Sequence, residues 1–238
     1  MTIFFDFIIF SFFVFASSSL LNIANIRMER RVGSRSDFIK LFFNILPTYM
    51  KNLVIIIILF TITKTLYLEI INNKIFIFIP LIIFFISKTE LRSQKYTDFV
   101  TRTACLSCIV ICVLTARTFN ISSFQIVEYN PFRIIALITA FIAVYLFNKD
   151  KLEPSSLNIA RNLALNMYVL YVFFPTIPFI YSTIASFGIL YVQFIVDKLT
   201  PSLNLFQTMR NSLIFLITIS LLGFTGNLIW TVLILGVK

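Results

Sequence analysis

The sequence contains no histidine among its 238 residues. Sites that depend on an imidazole ring are therefore excluded, including haem with histidine axial ligands, the usual copper centres and histidine-based acid–base catalysis. Glycine is scarce, and no Gly-rich phosphate loop or nucleophile elbow occurs, so we expect no catalytic residue in this chain. Of the five glycines, Gly223 and Gly226 are expected to ease helix packing or bending.

Apolar residues make up 59% of the chain, and its mean hydropathy is +0.95. An ordinary soluble domain is roughly 45–50% apolar. Inside a membrane every backbone N–H and C=O must be satisfied within a helix, and about 20 mostly apolar residues cross the hydrocarbon. We therefore predict an all-α polytopic integral membrane protein, a single transmembrane domain over residues 1–238, with lipids among its partners.

Apolar runs bounded by charged residues predict about eight transmembrane helices with short loops. The sixth and seventh runs meet near Tyr181, after Pro175 and Pro178, so one bent helix and a total of seven spans is the alternative. Only Met-Thr-Ile precedes the first run, without the basic segment of a secretory signal, so we expect this span to be retained. The predicted spans cover residues 3–24, 52–68, 75–87, 103–118, 132–147, 162–181, 182–197 and 212–236.

Basic residues are distributed unevenly between the loops. If eight spans alternate, fifteen of the twenty Lys and Arg residues fall on one side of the membrane. The basic residues of a nucleic-acid-binding protein form a face on a soluble scaffold, whereas here they separate apolar runs, so we expect no nucleic-acid partner. The positive-inside rule places the loops after spans 1, 3, 5 and 7 toward the cytoplasm or the mitochondrial matrix.

A polar stripe marks the segment near residues 36–51, where polar residues recur at steps of three and four on an otherwise apolar helix. Ser36 is a suitable N-cap, and Pro47 argues against a simple continuation of span 2, which is the alternative. We therefore predict an amphipathic helix in the membrane interface. The stripe consists of Asp37, Lys40, Asn44, Thr48 and Lys51.

Three cysteines and one acid lie inside predicted spans. Cys105, Cys108 and Cys112 share one face of span 4, but a metal site would need a fourth ligand and a polar surrounding, so we interpret them as packing residues and expect no metal. Asp6 is the only acid well inside a predicted span. A proton relay would require more intramembrane carboxylates, so the chain is not predicted to be a self-contained pump.

The other informative residues lie in the loops and at helix ends, in a fixed order along the chain, and all but the motif after span 4 are on the positive side. They are Glu29-Arg30-Arg31 after span 1, Asp37-Phe38-Ile39-Lys40-Leu41-Phe42 in the amphipathic helix, Ser93-Gln94-Lys95-Tyr96 and Arg102 around the start of span 4, Phe119-Asn120-Ile121-Ser122 after span 4, and Pro201, Gln207 and Met209 before span 8. This order resembles NADH dehydrogenase subunit 1, the membrane-arm subunit of respiratory complex I that joins the quinone site to the proton-pumping arm. The resemblance extends along nearly the whole chain, although each motif is short.

Two segments depart from the family pattern. The family's acidic segment between spans 5 and 6 is reduced to residues 147–154, where Asp150 or Glu153 stands in for its carboxylates. The glutamate that the family carries in span 4 falls near Ile111 and is missing. We therefore expect a quinone chamber whose acidic route to the pump is altered or supplied by neighbouring subunits.

The resemblance implies a divergent complex I subunit in the mitochondrial inner membrane, with its odd-numbered loops toward the matrix. It implies ubiquinone as substrate of the complex, no cofactor bound by this chain, and the peripheral quinone-module subunits and other membrane-arm subunits as partners. The alternatives are another structural subunit of a respiratory or ATP synthase complex, or a membrane transporter. The residues implied for the quinone chamber or the junction are Glu29, Arg30, Arg31, Arg35, Asp37, Lys40, Arg102, Asp150, Glu153 and Gln207.

Overall fold

The computed structural model describes residues 2–28, 35–69, 96–117, 130–148, 156–174, 177–199 and 212–235. Within these ranges helices occur at seven of the eight predicted spans, and the third predicted span, residues 75–87, lies outside the described residues. The helices are α1 (Thr2–Met28), α2 (Arg35–Glu69), α3 (Tyr96–Arg117), α4 (Pro131–Asn148), α5 (Ser156–Phe173), α6 (Phe179–Leu199) and α7 (Ile217–Leu235), and a π-helical turn at Ser212–Leu216 precedes α7.

Four helical stretches among the described residues are long and apolar enough to cross a membrane. Large apolar side chains remain exposed on them, such as Phe4 at 71% and Val232 at 69%, which suits contact with lipid. The prediction of helices of membrane-spanning length is thus confirmed for the described residues, which is compatible with a helical membrane protein, while the count of eight spans stays a prediction. The four stretches are Ile3–Ala24, Ile45–Lys64, Phe179–Asp197 and Ile214–Leu233, and the shorter apolar helices are Val100–Ala116 and Pro131–Phe147.

The predicted amphipathic helix is the first part of α2. Residues 36–51 are helical, but α2 continues through Pro47 to Glu69 without a break. The expected separation from span 2 is therefore wrong, because this segment continues into that span, while its place in the membrane interface stays a prediction. Proline removes one backbone donor and crowds the preceding turn, yet 35 residues form one helix of about 52 Å at 1.5 Å per residue.

Predicted spans 6 and 7 are two helices rather than one bent helix. α5 ends at Phe173 and α6 begins at Phe179. The backbone N–H of Ser182 donates to the carbonyl oxygen of Pro178 at 3.1 Å, which starts the hydrogen-bond ladder of α6. Pro178 itself has no N–H to donate, so its place just before the helix leaves no helical bond unmade.

The chain divides into two compact units. Unit 1 contains residues 1–73, 148–171 and 175–201, and unit 2 contains residues 74–147, 172–174 and 202–238. Unit 1 therefore holds α1, α2, most of α5 and α6, while unit 2 holds α3, α4 and α7. The prediction of a single transmembrane domain concerns the whole chain and stays a prediction.

In unit 1, the contacts between helices define their relative directions. The rings of Phe10 and Phe60 lie 5.8 Å apart and those of Phe15 and Tyr49 lie 5.4 Å apart, so α1 and α2 are antiparallel. The side-chain ammonium of Lys64 on α2 lies 4.8 Å from the ring centroid of Phe179, the first residue of α6. Farther along α1 and α6, the rings of Phe13 and Phe187 are 5.5 Å apart. Since Lys64 pairs with the start of α1, α1 and α6 run parallel.

In unit 2, α3 and α7 run parallel. The Cys108 thiol on α3 donates to the carbonyl oxygen of Leu216, just before α7, at 3.7 Å. About two turns farther along α3 and three turns farther toward the end of α7, Asn227 donates to the carbonyl oxygen of Thr115 at 2.9 Å. These directions, and those in unit 1, agree with the alternation expected of predicted spans 1, 2 and 7, and of spans 4 and 8.

Candidate functional site

Most residues that the resemblance implies for a site have no described side chain. Arg35, Asp37 and Lys40 lie in the first two turns of α2, and Arg102 lies in α3. The joint role of the set therefore stays a prediction. Outside the described residues are Glu29, Arg30, Arg31, Asp150, Glu153 and Gln207.

Arg102 is the one predicted site residue whose surroundings are described. Its side chain is buried, with 4% exposure, in the first half of α3. The guanidinium carbon lies 6.0 Å from the ring centroid of Phe147, at the C-terminal end of α4. This geometry is at the outer limit of a cation–π interaction. Arg102 is thus a buried cation within α3, and its role at a quinone chamber or junction stays a prediction.

The most polar buried element is α5, which the sequence analysis did not single out. Every residue from Ser156 to Phe173 is buried. Asn158, Asn162 and Asn166 follow one another at steps of four, so each is rotated by only about 40° from the last and the three form one row. Such a row of amides is unusual in a helix interior, because each group must find a hydrogen-bond partner there.

A second polar row lies on α6. Ser182, Ser186 and Gln193 are buried and are separated by four and seven residues, so they share one face of the helix within about 40°. We call the two rows together the α5–α6 polar seam. It consists of Asn158, Asn162 and Asn166 on α5 and Ser182, Ser186 and Gln193 on α6.

Hydrogen bonds join α5 and α6 near both ends of α6. Near the start of α6, the hydroxyl groups of Tyr171 and Ser182 are 2.5 Å apart. Near its end, the side-chain amides of Asn166 and Gln193 bond reciprocally, at 3.4 Å from Asn166 Nδ2 to Gln193 Oε1 and 3.5 Å from Gln193 Nε2 to Asn166 Oδ1. α5 and α6 therefore run antiparallel, and they are held by polar contacts of the kind that replaces the hydrophobic effect between membrane helices.

Two seam oxygens have no hydrogen-bond partner among the described residues. These are Oδ1 of Asn162, whose residue is 2% exposed, and Oγ of Ser186, whose residue is 0% exposed. Other buried hydroxyls bond to a carbonyl of their own helix, as Thr63 does to Phe60 at 2.8 Å. The seam therefore carries polar capacity that helix–helix contacts leave unused.

An intramembrane ion pair links three helices of unit 1. The Lys64 ammonium near the end of the α2 span binds the carboxylate of Asp6 in α1, and each side chain is 12% exposed. The same ammonium lies over the ring of Phe179. Asp6 was recognised in the sequence as an isolated intramembrane acid, but its partner was not, because Lys64 is 58 residues away along the chain.

Unit 2 contains a fully bonded polar cluster. Asn130 accepts a hydrogen bond from the backbone N–H of Phe132 at 3.0 Å, which caps α4, and donates to Asn227 Oδ1 at 2.5 Å. Asn227 in turn donates to the carbonyl oxygen of Thr115 at 2.9 Å. The cluster joins α3, α4 and α7, and its complete bonding is typical of a structural clamp.

The three cysteines are free thiols and fully buried. Cys108 donates to the carbonyl oxygen of Leu216, where the backbone changes from the π-helical turn to α7. Among the described residues, no group of three or more Cys, Asp or Glu side chains is placed to hold a metal ion. The three thiols are thus buried in the interior of unit 2, and their interpretation as packing residues stays a prediction.

The sequence held a signal for the seam that periodicity analysis passed over. Predicted span 6 began at residue 162, which cut the asparagine row and assigned residues 156–161 to a loop. A search for polar residues at steps of four would have found the row on α5. The row on α6 carries serines, which are common in membrane helices and give a weaker signal.

Comparison with models of known protein families, with curated proteins and with solved structures gives no match.

Proposed function

We propose that this chain is a membrane-arm subunit of proton-translocating NADH:ubiquinone oxidoreductase, respiratory complex I, similar to NADH dehydrogenase subunit 1. In that role its helices form part of the quinone-binding chamber, and its positively charged loops meet the peripheral arm on the matrix side of the mitochondrial inner membrane. Ubiquinone is the substrate of the complex, and the chain itself holds no prosthetic group. The proposal rests on the ordered loop motifs, together with the helix directions in each unit.

The helix directions are the observation that carries the proposal. In unit 1 they put the end of α1 and the starts of α2 and α5 at the end where α6 finishes. In unit 2 they put the starts of α3 and α7 at a common end. In each unit these helix ends border loops that carry basic residues and family-like motifs, except Phe119-Asn120-Ile121-Ser122, which follows the opposite end of α3. Mixed charges in the loops next to such helix ends suit docking to a hydrophilic partner.

The apolar surface supports a place inside a larger membrane assembly. Exposed apolar side chains occur on α1, on α4 and on α7, where Leu222 and Leu233 are 63% and 61% exposed. Such faces suit lipids and neighbouring membrane subunits alike. They are also compatible with a structural subunit of another respiratory or ATP synthase complex, so a test must identify the partners directly.

Extraction in a mild detergent, followed by native electrophoresis and mass spectrometry, tests the assembly. We expect the chain to migrate with the flavin and iron–sulfur subunits of complex I. Migration with ATP synthase subunits, with another respiratory complex, or alone would refute the proposal.

A charge-reversal variant tests the junction. Arg35→Glu, at the first residue of α2, should lower quinone-dependent NADH oxidation while NADH oxidation by an artificial acceptor persists. Lys51→Glu is the matched control, because Lys51 is an exposed lysine of the same helix and is absent from the family motifs. Arg102 is less suitable for charge reversal, since a carboxylate at its buried position carries a desolvation cost. Equal loss of both activities in Arg35→Glu would indicate failed assembly instead of a junction role.

A membrane transporter is the second candidate, and the α5–α6 polar seam is the observation that favours it. Transporters place polar groups inside the membrane and interrupt helices near the substrate site. Here α5 and α6 carry buried polar rows, and α6 begins directly after Pro178. Purified chain in liposomes, free of other subunits, should then move a solute or ion. Absence of flux together with co-migration in complex I would favour the first proposal.

A further inference from the structure

We draw no further inference here: the strongest candidate, the exposed stripe of small residues on α6 around Ala185 and Gly188, has no second feature that points to a partner, and nothing among the described residues shows what covers it.

Discussion

Gly226 makes the sharpest stability prediction, because a neighbouring glycine on the same helix serves as its control. A Cβ atom added at Gly226 would lie closer to the Phe132 ring, at the start of α4, than van der Waals contact allows. A Cβ at Gly223 would meet its nearest neighbour, the carbonyl oxygen of Phe132, at an ordinary 3.9 Å. Gly226→Ala should therefore be destabilising, while Gly223→Ala should be tolerated.

The magnitude follows from two opposing effects. Alanine in place of glycine favours the helix by about 0.5–1 kcal/mol. Overpacking a close contact costs about 1–3 kcal/mol, which applies at Gly226 alone. We expect Gly226→Ala to lower the free energy of unfolding by roughly 0.5–2 kcal/mol and Gly223→Ala to raise it by up to about 1 kcal/mol.

Unfolding in mixed micelles with increasing SDS measures the difference, with the fluorescence of Trp230 on α7 as the signal. In a Phe132→Ala background the ring is absent, so the penalty of Gly226→Ala should disappear. Equal stability of the two alanine variants, or a penalty that survives in the Phe132→Ala background, would refute this reasoning.

Two further predictions use the same unfolding assay. Asn227→Leu removes two interhelical hydrogen bonds, each worth about 0.6–1.7 kcal/mol, so we expect a loss of roughly 1–3 kcal/mol. Thr231→Val, whose hydroxyl bonds only within α7, should change stability by less than about 0.5 kcal/mol; a similar effect of both would contradict the clamp. Lys64→Met leaves the carboxylate of Asp6 unpaired near the membrane interior and should cost about 2–4 kcal/mol. The double variant with Asp6→Asn should recover most of that loss, and its failure to do so would exclude the ion pair as the cause.

Much of the helical framework was accessible from the sequence. The predicted spans at residues 3–24, 103–118, 132–147, 182–197 and 212–236 coincide with helices to within a few residues at most ends. Apolar runs bounded by charges are a strong signal, because an unsatisfied backbone group is intolerable in hydrocarbon. Pro47 led to the wrong prediction of a boundary before span 2, because a proline disfavours a helix interior without preventing it.

The candidate site was less accessible. α5 begins at Ser156, six residues before the predicted span, because Asn158 and Arg161 made this stretch look like a loop. Polarity predicts exposure only when no partner is available, and Asn166, farther along α5, finds one in Gln193 on the next helix. A hydropathy window averages over residues in sequence, so it does not register a partner 27 positions away.

The sequence by itself determined that the described chain is helical, that it carries membrane-length apolar stretches and that its basic residues alternate between loops. These properties are local, because each follows from the composition of a single run of about 20 residues. The tertiary structure alone decided which polar groups meet: Asp6 with Lys64, Asn166 with Gln193, and Asn227 with Asn130. Their pairing depends on helix direction and rotation, which packing sets across long separations in the chain.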